Sequence, residues 1–242
     1  LILSTIKNGA KVQRQHKTKL SQARLVQEEL RQKVEIVPLK GMPEYVAGVD
    51  VSARILEHSK EFAVCVVSLF KYPHLLPVED QFALTELDFP YIPGFLSFRE
   101  GPVIMEAISR LSIEPHVIIF DGQGIAHPMG LGIASHMGVL LNKSTIGCAK
   151  TRLFGTYQEP GMERGDWSYL MNGTKAIGAV LRTRKGVRPI FVSPGHLIDI
   201  KGALSVVMGT VKGFRIPEPI RRADQLSRKL LKSFIRKEMP VP

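Results

Sequence analysis

The chain has 242 residues, 44% hydrophobic and 23% charged, the make-up of a globular protein long enough for one large core. Its 33 Lys and Arg against 22 Asp and Glu leave a net charge of +11, so the expected partner is anionic, nucleic acid first and an acidic membrane surface second. No run approaches the roughly 20 apolar residues of a membrane helix, and the two cysteines, Cys65 and Cys148, lie in apolar runs without zinc-ligand spacing, which fits a reducing cytoplasm.

The opening LILSTI is too short for the apolar core of a secretion signal. The first residue is Leu rather than Met, which leaves the native start open. Lys7, Lys11, Arg14, Lys17, Lys19 and Arg24 follow with no acid among them. A basic helix is expected over about 18–34, where Leu20, Ala23, Gln27, Leu30 and Val34 share one face. Strands are expected at 44–53 and 61–70, joined as a hairpin by the polar RILEHSK. A loop rich in Pro and aromatic residues, DFPYIPGFLSFREG, spans 88–101, and a helix over about 102–111 opens on Pro102.

VIIFDGQGIAHPMG, residues 117–130, runs an apolar strand into Asp121 and then a glycine-rich loop. Four apolar, mostly β-branched residues bounded by turn signals fit a strand covered on both faces. Ligands of open α/β sheets bind at that carboxyl end, although Asp before Gly also punctuates ordinary turns. GIASHMGVLLN then reads as a helix and STIGCAK as a strand. Further strands are expected near 176–182 and 188–193, and helices near 199–211 and 219–237. The last helix is strongly basic: Arg221, Arg222, Arg228, Lys229, Lys232, Arg236 and Lys237 stand against Glu218 and Asp224. Strands first, then strands alternating with helices, predict an α/β protein with a mixed central β-sheet flanked by helices. No linker or repeat divides residues 1–242, so one domain is expected.

Three carboxylates stand at or near the ends of elements. Asp50 interrupts an apolar strand, where a carboxylate is costly to bury unless a cation or several donors meet it. Glu100 stands where acids favour helix starts, and Asp121 ends its strand. A sulfur-free set of carboxylates suits Mg²⁺, with Mn²⁺ as a substitute, and such ions assist phosphodiester hydrolysis. Lys150 could neutralise a phosphate beside them or be an ordinary strand-end lysine.

AGVDVS, PYIPGFLSFREGP, DGQGIAHPMGLGIASHMGVLL, STIGCAK and VSPGHLIDIKGA occur in this order, and with FRIPEPIRRAD they resemble the bacterial branch of the endonuclease V family, the deoxyinosine 3′ endonucleases. The resemblance covers about residues 15–230. It implies an RNase H-like fold and Mg²⁺-dependent cutting of DNA containing hypoxanthine, the deaminated form of adenine. The cut would fall at the second phosphodiester 3′ of the lesion and leave a 5′-phosphate, initiating repair. Inosine-containing RNA is a second candidate substrate, and a cytoplasmic monomer without membrane attachment is expected.

By this resemblance Asp50, Glu100 and Asp121 hold the metal, and His127, Lys150 and His196 join them as catalytic residues. Pro90, Tyr91, Ile92 and Pro93 form a wedge that fills the place of the extruded base. A stacking aromatic held by stiff prolines suits that task, because little ordering entropy is lost on insertion. Without the resemblance, Tyr91 reads as a buried loop anchor. Gly94, Leu96, Gly122 and Ile133 surround the flipped base, with Gly124 giving further room. After His127-Pro128 many relatives carry Arg, where this chain has Met129 and Gly130, so a weaker phosphate contact with retained activity is expected. The alternatives are another RNase H-like nuclease and a non-catalytic inosine binder.

Overall fold

The computed structural model describes residues 19–55 and 60–238. Lys7, Lys11, Arg14 and Lys17, and the turn of the first hairpin, lie outside the described residues. Residues 19–32 form α1. There follow β1 (Tyr45–Ile55), β2 (Glu61–Lys71), β3 (Leu76–Glu86), α2 (Leu96–Ser109), β4 (Val117–Phe120), α3 (Ile133–Leu141) and β5 (Ser144–Ala149). The chain continues through β6 (Trp167–Asn172), β7 (Lys175–Leu181), β8 (Ile190–His196), α4 (Ile200–Gly209) and α5 (Glu218–Glu238).

All eight strands lie in one mixed sheet of order β3-β2-β1-β4-β5-β8-β7-β6. The strands β1, β4 and β5 run parallel at its centre, and every other neighbouring pair is antiparallel. Parallel central strands are covered on both faces, which is why VIIF carries no polar residue. On one face Val49, Ile118 and Phe120 pack against Val103 of α2 and Met137 of α3. On the other, Val46, Ile119, Ile146 and Val192 meet Val207 of α4 and Ile220 of α5. Each such side chain contributes about 1.5–3 kcal/mol of burial free energy. At Gly48 a Cβ would lie 2.2 Å from the Pro219 backbone, so the missing side chain lets the start of α5 sit directly on β1. Among the described residues no helix is long and apolar enough to cross a membrane.

Most expected elements are present within two or three residues of their predicted ends, and three differences have physical causes. Strand β3 went unpredicted because it is an edge strand whose middle, Glu79, Asp80 and Gln81, is polar. The other edge strand, β6, with Trp167 and Tyr169 on its surface, was missed for the same reason. Helix α2 begins at Leu96 rather than near 102, so Pro102 lies inside it. A backbone N–H of Phe98 and of Phe95 closes turns onto Phe95 and Ile92, which starts the helix within the supposed loop.

Candidate active site

The parallel register sets Val49 beside Phe120, and the Asp121 N–H donates to Val49 O at 3.2 Å. Asp50 and Asp121 therefore leave neighbouring strands at the same level. Asp50 faces α5, the helix that rests on Gly48, and α5 brings a third acid. One oxygen from each of Asp50, Asp121 and Asp224 lies within 4.8 Å of the others. Three elements distant in sequence thus bring three hard oxygen donors within reach of one another, a set that suits a single cation.

Every member of the trio is held by the protein itself. Lys150 Nζ donates to Asp121 Oδ2 at 2.6 Å. Ser227 Oγ donates to Asp50 Oδ2 at 2.6 Å. Arg228 Nη2 donates to Asp224 Oδ1 at 2.7 Å.

Beside the trio a pocket of about 240 Å³ opens between the 88–95 loop, the 122–132 loop and the start of α3. Gly94, Leu96, Gly122 and Ile133 all line it, with Tyr91 and His127. His127 is buried; its Nδ1 accepts from the Met129 N–H, and its Nε2 would lie 3.8 Å from a Cβ at Gly94. The histidine thus forms a wall of this pocket. Gly94 has φ +86°, a conformation that L side chains rarely adopt. Gly124 does not border the pocket: a Cβ there would lie 2.0 Å from Pro194 O, so its role is to admit the backbone of β8.

The loop carrying Pro90 to Pro93 is fixed from below. Arg99 Nη1 donates to Phe89 O at 2.9 Å, and the Phe89 and Phe98 rings stack at 6.0 Å. Gln27 of α1, buried, donates its Nε2 to Gly94 O at 3.0 Å. Tyr91 itself is 69% exposed and is not a buried anchor; the buried Phe95 and the half-buried Phe89 and Phe98 hold the loop.

The Endonuclease V family model matches residues 28–225. An endonuclease V of Geotalea uraniireducens is 51% identical over 216 residues, 88% of this chain and 90% of that protein. The chain belongs to the endonuclease V family. It is a nuclease of DNA repair, a hydrolase of phosphodiester bonds on an RNase H-like fold. The Streptomyces avermitilis endonuclease V is 39% identical with a TM-score of 0.82, covering 88% of this chain and 93% of that one. The Ciona intestinalis endonuclease V, solved with a 24mer DNA containing an inosine followed by a ribo-adenosine, is 31% identical with a TM-score of 0.79, covering 90% and 99%.

The electrostatics of this endonuclease ask for a cation. Burial, partly opposed by Ser227 and reinforced by Asp121 and Asp224, pushes the Asp50 carboxyl up to about 6. Burial and the nearby Asp50 charge push Glu100 up to about 8. Lys150, although partly desolvated, is held above the ordinary lysine value by its bond to Asp121. Burial first, and repulsion between the acids second, disfavour the ionised forms, which a bound cation would favour.

The geometry groups the acids differently from the expected set in two respects. Glu100 is not one of the three acids within mutual reach; it sits inside α2 and acts on Asp50 through space. Asp224 is the third acid within that reach. By sequence it is a counter-charge in a basic helix, yet it borders the helix stripe marked by Ile220, Ala223, Ser227 and Leu231, all buried. An acid beside a buried stripe was the signal available.

His196 does not reach the site. The antiparallel register pairs it with Thr145, at the far end of β5 from Lys150. Its Nδ1 accepts from the Glu35 N–H at 3.1 Å, so it fastens the segment after α1 to the sheet. Met129 borders a separate cleft together with Arg31, whose side chain runs against Gly130. A cation from α1 thus stands near Met129 and Gly130, where the resemblance leads one to expect Arg.

Proposed function

We propose that this endonuclease cuts DNA strands containing hypoxanthine, at the second phosphodiester 3′ of the lesion, leaving a 5′-phosphate. The observation that carries the reading is the adjacency of the 240 Å³ pocket, lined by Gly94, Leu96, Gly122 and Ile133, to the Asp50, Asp121 and Asp224 trio. The inosine in the Ciona complex supports the same substrate. Tyr91, exposed at the mouth of the pocket, stacks in the gap left by the extruded base. Leu96 and Ile133 give the flipped ring apolar walls, and backbone groups at Gly94 and Gly122 read its edge. Adenine, with donor and acceptor exchanged, would leave buried groups unpaired.

Asp50, Asp121 and Asp224 hold Mg²⁺, or Mn²⁺ in its place, and Glu100 adds charge beside them. When bound, such an ion neutralises charge developing on the phosphoryl oxygens. Lys150 orients Asp121 and offers its cation to the phosphate. Residues 1–242 act as one catalytic domain, monomeric and cytoplasmic. RNA is a second substrate class, favoured by the ribo-adenosine that follows the inosine in the Ciona complex.

The test gives matched DNA and RNA strands, with and without one inosine, to the purified protein with Mg²⁺ or a chelator, and maps the cut. Cleavage one nucleotide beyond the 3′ neighbouring bond, only with inosine and only with the metal, is expected. Cutting indifferent to inosine, or undiminished by chelator, overturns the reading.

A further inference from the structure

A second cleft, of about 680 Å³, includes Lys150 and shares no lining residue with the lesion pocket. Lys150, Arg152, Arg188 and Arg215 bring four cations to it, and Tyr157 and Phe191, edge to face at 5.4 Å, form part of its wall. Its one acid, Glu159, is already bound to Arg182 at 2.9 Å. Among the described residues neither Arg152 nor Arg188 has a carboxylate partner: Arg152 donates only to Gly155 O and lies over the Tyr157 ring.

Arg215 is fixed by the backbone, donating to Lys150 O and Pro189 O at 2.7 Å each, while its buried Nε has no acceptor among the described residues. Burial and the neighbouring Arg188 both press its guanidinium below the ordinary arginine value. Guanidinium groups gathered without acids to balance them define an anion site.

The position of the cleft selects the anion. The lesion pocket begins at Gly122 and Gln123, immediately after Asp121, and the cleft begins at Lys150, which is bonded to Asp121. Gln123 Nε2 donates to Thr151 O at 3.3 Å and ties the two margins together. Pro189, just before β8, and Phe191 within it also line the cleft, on the strand next to β5. The pocket, the carboxylate trio and the cleft therefore adjoin one another around Asp121 and Lys150, at the ends of the central strands. A strand seated in the pocket and passing the trio enters the cleft next.

We propose that this cleft clasps the phosphodiester backbone of the cut strand on the 3′ side of the scissile bond and retains the 5′-phosphorylated product end. The polarity rests on the reading above, in which the cut lies 3′ of the lesion.

The test is the double charge reversal Arg152→Glu/Arg188→Glu, two exposed side chains, with thermal unfolding to confirm that the variant is folded. Fluorescence anisotropy in chelator compares inosine strands extended on the 3′ side with strands extended on the 5′ side. The variant is expected to bind the 3′-extended strand about tenfold more weakly, with a log affinity against log salt slope shallower by about 1.4, the value for two lost single-strand phosphate contacts. Removing the 3′ extension should cost the wild type a similar amount and the variant little more. Equal losses on both extensions, or no loss, overturn the proposal. If the wild type ignores inosine altogether, the lesion reading fails separately. The cleft is then judged on a plain 5′-phosphorylated oligonucleotide, where undiminished binding by the variant overturns it and a tenfold loss supports it.

Discussion

The hydroxyl of Ser227 donates to Asp50 Oδ2 at 2.6 Å, joining α5 to β1 across 177 positions of sequence. It also lies 2.8 Å from Ser52 Oγ and has no exposed surface. Burial drives Asp50 toward its neutral form, and this bond favours the ionised one. Ser227→Ala should raise Asp50 further and weaken Mn²⁺ binding about tenfold, in line with the roughly 1.5–3 kcal/mol of a bond to a charged group. The pH–rate profile should move to higher pH, and Ser227→Thr should restore both properties. Titration followed by Mn²⁺ resonance reads the first effect. Wild-type affinity in the alanine variant would reduce Ser227 to a packing residue.

Metal binding should expel protons. Without an ion, burial and mutual repulsion hold Glu100 near 8 and Asp50 near 6, both above the ordinary carboxylate range. The folded-state values are raised, so the stability these groups contribute is present below about pH 4 and disappears as pH climbs through about 8. The metal-free protein should therefore melt at a lower temperature at pH 8 than at pH 5 as far as these two acids decide it. A divalent ion favours the ionised forms, so its binding at pH 7 should release about one proton, chiefly from Glu100. Calorimetry in buffers of different ionisation enthalpy measures that proton. A binding heat independent of the buffer would contradict it.

Asp224 separates the two candidate ligand sets. If the trio holds the metal, Asp224→Ala should lower Mg²⁺-dependent cleavage by about a hundredfold or more, the upper end of what even outer-shell substitutions cost. Arg228 would lose its partner, but an exposed ion pair contributes only about 0–1 kcal/mol, so the fold should survive. Single-turnover cleavage at saturating DNA gives the rate. Near-normal activity in Asp224→Ala, together with an inactive Glu100→Gln, would restore the set expected from sequence.

What could be read in the sequence depended on how many neighbours each residue has along the chain. The central strands show as apolar runs because both faces are covered, and Asp50 and Asp121 stand out against them. The edge strands β3 and β6 are half wet, so polar residues interrupt their pattern and hide them. Local spacing shows that Asp224 borders an apolar helical stripe, but not that the stripe meets β1, which depends on Gly48 letting α5 settle there. Only the motif points His196 to the site. The antiparallel register then set it at the opposite end of β5, where its chemistry serves the segment after α1. Gly124 misled in the same way: the glycine loop looked like room for a ligand, and the room is taken by β8.

Tyr91 offers a case where function and stability part company. The ring is 69% exposed on a loop anchored by other aromatics, so Tyr91→Ala should leave the unfolding midpoint within the range of ordinary surface substitutions, about 0.5 kcal/mol. Stacking of an aromatic on a base contributes about 1–3 kcal/mol, which corresponds to a loss of roughly 5- to 150-fold in preference for inosine over adenine strands. Gln27→Ala should give a smaller loss of the same kind. The amide holds Gly94 O at 3.0 Å, and without it the loop and the pocket margin move more freely. Competition cleavage of paired inosine and adenine strands measures both variants. A Tyr91→Ala protein that discriminates as well as the wild type, while remaining folded, would leave the loop without a wedge role and shift discrimination to the pocket walls at Leu96 and Ile133.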